Sequence, residues 1–192
     1  TAIIKYRFGV NMPHLKVNNL DFFYEIEGEG EPLVLINGIY GTTQIWGYTK
    51  DILKSNYKVI TYDCRDQGKT SLSSDNYTFY QHVEDLKQLL SALSIKKVSL
   101  AGLSQGACIA MHFASDFPDM VEKLILISPI SEKSPIDHYY YNYMERFLKD
   151  HSLNEYYKHM IPYLVCEDYC QKLMPSITGE QLLFFVEKLA SD

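Results

Sequence analysis

The chain has 192 residues, 46% hydrophobic and 22% charged, the make-up of one ordinary globular domain. Its formal net charge is −6 with no basic run, which argues against nucleic acid or an anionic membrane as a partner. No apolar run is long enough to span a bilayer, and the N-terminus lacks the apolar segment and cleavage site of a secretory signal. Cys64, Cys108, Cys166 and Cys170 have no histidine at a metal-ligand spacing and no disulfide pattern. Reduced thiols in the cytoplasm, with no metal and no cofactor, are the expectation. Cys108 is read as a small core residue.

Residues 1–11 carry no motif. His14–Asn18 and Asp21–Glu27 read as two strands of a hairpin joined by Asn19-Leu20, followed by a turn cluster at Gly28–Pro32. Pro32–Ile36 is a continuous apolar run, as expected of a strand buried on both faces of a parallel sheet. It runs into Asn37-Gly38-Ile39-Tyr40-Gly41, which on its own reads as a plain Asn-Gly turn. Thr42–Leu53 is expected to be a helix covering the sheet, with Trp46 on it, and Lys58–Tyr62 the next strand.

The loop Asp63-Cys64-Arg65-Asp66-Gln67-Gly68-Lys69-Thr70-Ser71 ends like a phosphate-binding P-loop. That motif needs a glycine five residues before Gly68, where Asp63 stands, and a carboxylate in a phosphate cradle repels its ligand. The P-loop is therefore rejected. Thr78-Phe79-Tyr80-Gln81 has the T-x-x-Q form of a capping box. Behind it Val83, Leu86, Leu90 and Leu93 recur at helical spacing, with Glu84, Asp85 and Lys87 assigned to the other face.

Lys97–Ala110 reads as a short apolar strand, a turn of small residues and a helix. At the turn lies Gly102-Leu103-Ser104-Gln105-Gly106, a G-x-S-x-G sequence in strand–turn–helix context. A serine on so sharp a turn takes a strained backbone conformation, and glycines two residues to either side remove the collisions that side chains would make. The turn also places the Ser104 hydroxyl at a helix N-terminus, where free N–H groups, that of Gln105 among them, favour negative charge. Phe117-Pro118 closes the helix, and Val121–Ile127 is another buried strand ending at Ser128-Pro129-Ile130. The alternation of strand and helix predicts a doubly wound, mostly parallel α/β sheet with its site at the C-terminal edge of the strands.

From Pro135 the pattern turns helical throughout: Asp137–Lys149, Leu153–Leu164, Cys166–Leu173 and Gly179–Ala190, broken at Pro162 and Pro175. Eight of the 16 tyrosines fall here: Tyr139, Tyr140, Tyr141, Tyr143, Tyr156, Tyr157, Tyr163 and Tyr169. Their apolar faces and polar tips suit a lid that meets substrate and water, although helix-to-helix packing accounts for most such residues.

On the elbow, the Asn37–Gly41 loop and the Asp63–Ser71 loop, the chain resembles the α/β-hydrolase family. It is most similar to small single-domain esterases and lactonases of the pimeloyl-ester carboxylesterase and 3-oxoadipate enol-lactonase kind. The resemblance runs from Met12, which looks like the family's natural start, to Asp192, and stops short of the family's C-terminal end. It implies three parts: an N-terminal extension (1–11), a hydrolase core (12–134) and a helical cap (135–192).

The resemblance further implies that Ser104 is the nucleophile. The backbone N–H groups of Ile39 and Gln105 would form the oxyanion hole, supported by Gly102, Gly106, Asn37 and Gly38. Asn37 stands where the family usually has histidine, and Asp66 where its D-x-R-G-x-G-x-S loop has a first glycine. Asp63 and Arg65 are expected to pair beneath the site. The family's triad runs serine, acid, histidine, with the last two after the cap, so the catalytic acid and histidine are not expected in these residues. Of the histidines present, His14 lies in the opening strand, His82 on a surface helix, and His151 and His159 on cap helices. His112 sits about 12 Å beyond Ser104 along the elbow helix, and His138, just after the sixth strand, is the best candidate base among them.

The implied activity is hydrolysis of a small-molecule ester, thioester or lactone through a Ser104 acyl-enzyme. The dehalogenase and epoxide-hydrolase branches, which use aspartate at this position, are disfavoured. Acyl transfer at the same site, and a non-catalytic ligand-binding or scaffolding protein, remain the alternatives. Residues 1–192 alone are expected to be inactive, with the sixth strand an open apolar edge at which the chain self-associates or meets a partner.

Overall fold

A computed structural model describes residues 13–130, 135–152 and 155. The chain divides into two compact units, residues 1–131 and 132–192. In the first unit β1 (His14–Val17), β2 (Leu20–Glu27), β3 (Glu31–Ile36), β4 (Tyr57–Tyr62), β5 (Val98–Leu103) and β6 (Val121–Ile127) form one sheet in the order β1-β2-β4-β3-β5-β6. β1 and β2 are antiparallel, β2 joins β4 antiparallel, and β4, β3, β5 and β6 run parallel. The mostly parallel sheet with an antiparallel N-terminal pair agrees with the expected fold class. The hairpin turn is Asn18-Asn19 rather than Asn19-Leu20. Both asparagines take positive φ, 47° and 66°, the backbone that a two-residue hairpin turn demands and that asparagine tolerates.

The apolar run of β3 is explained by burial on both faces. Val34 and Ile36 lie in a cluster with Val83, Leu86, Leu89 and Leu90 of α2 (Tyr80–Ala92) and Ile109, Ala110 and Phe113 of α3 (Gln105–Asp116). Leu33 and Leu35 face the other way and join Val59, Ala101 and Trp46, with Leu53 of α1 (Gly47–Leu53) packed alongside. Helices therefore cover both faces, as double winding requires. The expected 42–53 helix is in fact a 3-10 turn over Thr43–Trp46 followed by α1.

Two sequence expectations for α2 do not hold. No capping box forms: the helix follows Phe79 with no side-chain cap, and backbone bonds from Gln81 N to Thr78 O and from His82 N to Phe79 O begin it instead. Asp85 is buried, not solvent-facing. Its two oxygens accept from Nε and Nη2 of Arg65, at 2.8 and 2.7 Å, and from Nδ2 of Asn18 at 2.8 Å. A helical spacing pattern assigns faces by polarity, and a carboxylate that finds a buried guanidinium escapes that assignment. At the far edge, β6 has β5 as its neighbour, and Leu124, Ile125 and Ile127 are exposed.

In the second unit Pro135–Asp150 forms α4, overlapping the expected helix at 137–149. The three later predicted helices lie outside the described residues. Among the described residues no helix is long and apolar enough to cross a membrane.

Candidate active site

The parallel strands end level with one another: Ile36 pairs with Tyr62 on one side and Gly102 on the other, and Leu103 pairs with Ile127. The chain passes from β3 to β4 on one side and from β5 to β6 on the other, so it winds away in opposite senses from the β3–β5 boundary. Loops after these two strands diverge to opposite faces, and the crevice between them is where open α/β sheets bind ligands. Both the elbow and the Asn37–Gly41 loop lie at this boundary.

Ser104 sits between β5 and α3 with φ 52° and ψ −114°, a left-handed conformation unusual for a serine. Its N–H donates to Ile127 O of β6 at 2.8 Å, and its carbonyl accepts from the N–H groups of Ala107 (2.9 Å) and Cys108 (3.1 Å), which opens the helix. The flanking glycines are required by space rather than by φ. A Cβ on Gly102 would stand 2.2 Å from Gly106 O, and one on Gly106 would stand 2.3 Å from Ile36 O and 2.5 Å from Asn37 O. The elbow is thus pressed directly onto the end of β3.

The β3 loop lies alongside it. A Cβ built on Gly38 falls 3.5 Å from Ser104 Cβ and 3.4 Å from Leu103 O, in ordinary contact. Gly38–Gly41 is a turn closed by Gly41 N donating to Gly38 O at 3.0 Å, with Tyr40 at φ 60°. Ile39, the residue after Gly38, is exposed. Gln105 begins α3, where the first N–H groups have no intrahelical acceptor. Its Oε1 accepts from Nε2 of Gln67 at 3.0 Å, while Oε1 of Gln67 is buried with no hydrogen-bond partner among the described residues.

Asn37 is fully buried. Its Nδ2 donates to Tyr62 O at 2.9 Å and to Gly41 O at 3.4 Å, and its Oδ1 accepts from the indole N–H of Trp46 at 2.8 Å.

Asp63 and Arg65 do not pair. Oδ1 of Asp63 accepts from Thr43 N and Oδ2 from Lys69 N, both at 2.8 Å, which occupies both oxygens, while Arg65 turns to Asp85. Asp63 still ties its loop beneath the site, but through main-chain donors. Burial pushes its carboxyl above the ordinary value against the pull of those two N–H bonds.

No histidine, aspartate or glutamate among the described residues hydrogen-bonds to Ser104. His82 is buried against the rings of Tyr77 and Phe79, and burial holds its pKa below the ordinary value. His112 is exposed and meets Phe79, and Nδ1 of His151, just past α4, lies 3.0 Å from Phe147 O. His14 is on β1, two strands from the parallel set. The side chains of His138 and His159 lie outside the described residues, as do Cys166, Cys170 and most of the tyrosine set. Among the described residues no group of three His, Cys, Asp or Glu side chains is placed to hold a metal.

The structure therefore gathers Asn37, Gly38, Gly102, Ser104, Gln105 and Gly106 at one point. Sequence reasoning missed Trp46, Tyr62, Gln67 and Asp85 as supports. For Trp46 a signal existed, a lone tryptophan nine residues past a buried asparagine; for the others no pattern marks a partner so distant in sequence.

Residues 31–164 match the family model described as alpha/beta hydrolase fold. Human epoxide hydrolase 4 is 35% identical over 118 residues, covering 59% of this chain and 33% of that protein. An alpha/beta hydrolase enzyme from a Medee basin deep-sea metagenome library is similar in structure, with a TM-score of 0.81 and 27% identity, covering 91% of this chain and 66% of that one. The enol-lactonase from Burkholderia xenovorans, at 21% identity and a TM-score of 0.79, covers 93% of this chain and 66% of its own, and shares the fold. The chain spans less than half the length of the curated relatives it matches.

Proposed function

We propose that this chain, which belongs to the alpha/beta hydrolase fold family, carries the nucleophile and oxyanion hole of a serine hydrolase acting on a small-molecule ester, thioester or lactone. The observation that carries this reading is the backbone of Ser104, held left-handed between β5 and α3 with glycine contacts on either side. Strain of this kind is kept where the surroundings over-determine it, and it clusters at sites of chemistry. Relatives in the family include proteins named as a lactonase and an epoxide hydrolase. A serine rather than a carboxylate at the elbow favours acyl chemistry over epoxide opening.

In the proposed reaction Ser104 Oγ attacks the carbonyl carbon as its proton passes to a base. The carbonyl oxygen takes up negative charge and is held by the N–H groups of Ile39 and Gln105, each donor contributing about 3 kcal/mol of transition-state stabilisation. The C–O or C–S bond to the leaving group then breaks, the leaving group takes the proton, and water repeats the sequence to release the acid and free Ser104. An alcohol or thiol in place of water would make the same site an acyltransferase. The base and its acid partner are assigned outside residues 1–192, so these residues alone should not turn over esters. With no base on Ser104 among the described residues, a ligand-binding or scaffolding role is the second reading. The free thiols of Cys64 and Cys108 suit the cytoplasm, and the exposed apolar residues of β6 are the surface assigned to self-association or a partner.

The test is a fluorophosphonate probe on the product of the complete reading frame. Label mapped to Ser104 and lost in Ser104→Ala supports the assignment. Label that persists in the variant or maps elsewhere overturns it.

A further inference from the structure

The oxyanion loop proposed above is only as useful as its placement: a donor must meet the oxygen at about 2.7–3.1 Å, and a 1 Å error costs roughly 10²-fold. A four-residue turn at a strand end is ordinarily mobile. Here it is not left to itself. The Asn37 amide grips the turn at both ends, since Asn37 precedes it in the chain and its Nδ2 bonds to the Gly41 carbonyl that ends it. The same Nδ2 reaches across to Tyr62 O, the last residue of β4, and Oδ1 holds the Trp46 indole. One residue further on, Asp63 takes the Thr43 N–H. The segment 37–46 is thereby pinned to the end of β4 at two places and to itself at two more. Asn37 and Asp63 are both buried, and the bonds to Tyr62 O, from Trp46 and from Thr43 N are shielded from water.

We infer that the Asn37 amide, with Trp46 as its partner, is a positioning device that sets the Ile39 N–H against Ser104. This rests on the serine-hydrolase reading and adds the means by which the oxyanion loop is held. An amide is suited to it because it donates and accepts at once, using Nδ2 toward two carbonyls and Oδ1 toward an indole. Leucine, of similar branching, does neither. Trp46→Phe deletes the indole donor and leaves Nδ2 with both carbonyls.

The experiment uses the product of the complete reading frame, with p-nitrophenyl acetate as substrate and phenylboronic acid, which forms a tetrahedral adduct on a serine hydroxyl, as ligand. Asn37→Leu and Trp46→Phe are each expected to lower kcat 10- to 100-fold with KM within twofold, and to weaken the boronate by a similar factor. Because the one bond lost in Trp46→Phe is among the three lost in Asn37→Leu, the double variant should fall little below Asn37→Leu alone. Lys50→Met serves as the stability control. It breaks the ion pairs of Lys50 with Glu25 and Glu27, neither of which bonds to Asn37, Trp46 or Ser104, and should lower the unfolding midpoint without lowering kcat. Unchanged kcat in both site variants, an effect confined to KM, or an equal fall in the Lys50 control overturns the inference. If the unmodified protein neither turns over ester nor binds boronate beyond Ser104→Ala, the serine-hydrolase reading fails, and this inference with it.

Discussion

Gly106→Ala adds one methyl group where the elbow presses on the end of β3. The new carbon would stand 2.3 Å from Ile36 O and 2.5 Å from Asn37 O, both main-chain atoms at the end of β3. Relieving the closer contact, from 2.3 Å to the 3.4 Å of an ordinary contact, means opening the gap between α3 and β3 by about 1 Å or more, with no flexible side chain to absorb it. Overpacking by a methylene in a close-packed interior costs about 1–3 kcal/mol, and a collision with fixed backbone should reach the upper end. At roughly 2–4 °C per kcal/mol for a domain of this size, the unfolding midpoint falls by about 6–12 °C. Two reference variants make the number interpretable. Ser104→Ala removes a hydroxyl that has no hydrogen-bond partner among the described residues and should stay within about 0.5 kcal/mol of the parent. Gly47→Ala places a methyl where nothing lies within 4 Å, on right-handed helical backbone, and should be neutral or stabilising by about 0.4–1 kcal/mol. Thermal and urea unfolding of the three variants decide it. Gly106→Ala as stable as Ser104→Ala would refute the close approach of elbow and β3.

Asp85→Ala leaves the Arg65 guanidinium and the Asn18 amide buried without their acceptor, and urea unfolding should show a loss of about 3–5 kcal/mol. His82 gives a pH signature. Its folded pKa is depressed by burial, with Asp85 and Asp66 pulling upward and Arg65 downward, so the unfolded chain takes the proton first as pH falls. Stability from this residue should be flat above neutrality and fall below about pH 6.5, at up to about 1.4 kcal/mol per pH unit. His82→Gln should flatten that part of the pH profile; an unaltered slope would rule His82 out as its source. Residues 1–192 expressed alone should hydrolyse p-nitrophenyl acetate at least about 10⁴-fold more slowly than the product of the complete reading frame. Comparable turnover by the short chain, lost on His138→Ala, would place the base inside these residues.

The parts of this architecture that are local in sequence could be read from it. The strand–turn–helix of Val98–Asp116 announces itself through glycine spacing, and the two-sided burial of β3 through an unbroken apolar run. The supports of the site could not be read in the same way, because each is a polar group satisfied at long range. Asp85 follows the polarity rule for a solvent-facing helix position and is nevertheless buried, since Arg65, 20 residues earlier, forks onto it. Asp63 and Arg65, two residues apart in one loop, suggest a pair; the backbone N–H groups of Thr43 and Lys69 reach the carboxylate instead. The T-x-x-Q sequence before α2 satisfies the capping pattern but begins no cap, because main-chain bonds already close that turn. A pattern specifies which bonds are available, and tertiary competition decides which are made.

The same competition accounts for Asp66, which stands where the resembled loop has glycine. Its φ is 59°, and aspartate is among the few side chains that tolerate that region, so the exchange keeps the backbone. Asp66 is one of four non-glycine residues in left-handed conformation just past the parallel strands: Tyr40 after β3, Asp66 after β4, Ser104 after β5 and Ser128 after β6, with φ of 60°, 59°, 52° and 50°. Each strand turns its chain sharply at the same edge, and at Tyr40, Ser104 and Ser128 the residue is not one that favours it. Such conformations cost about 1–3 kcal/mol each. Ser104→Gly tests whether that cost is present. At an unstrained site glycine loses about 0.5–1 kcal/mol relative to alanine through the unfolded chain's freedom. At Ser104 the relief of strain should offset or exceed this, leaving Ser104→Gly at least as stable as Ser104→Ala in urea unfolding. A glycine variant less stable than the alanine variant by 0.5 kcal/mol or more would mean that the elbow stores no strain, and the main support for Ser104 as nucleophile would go with it.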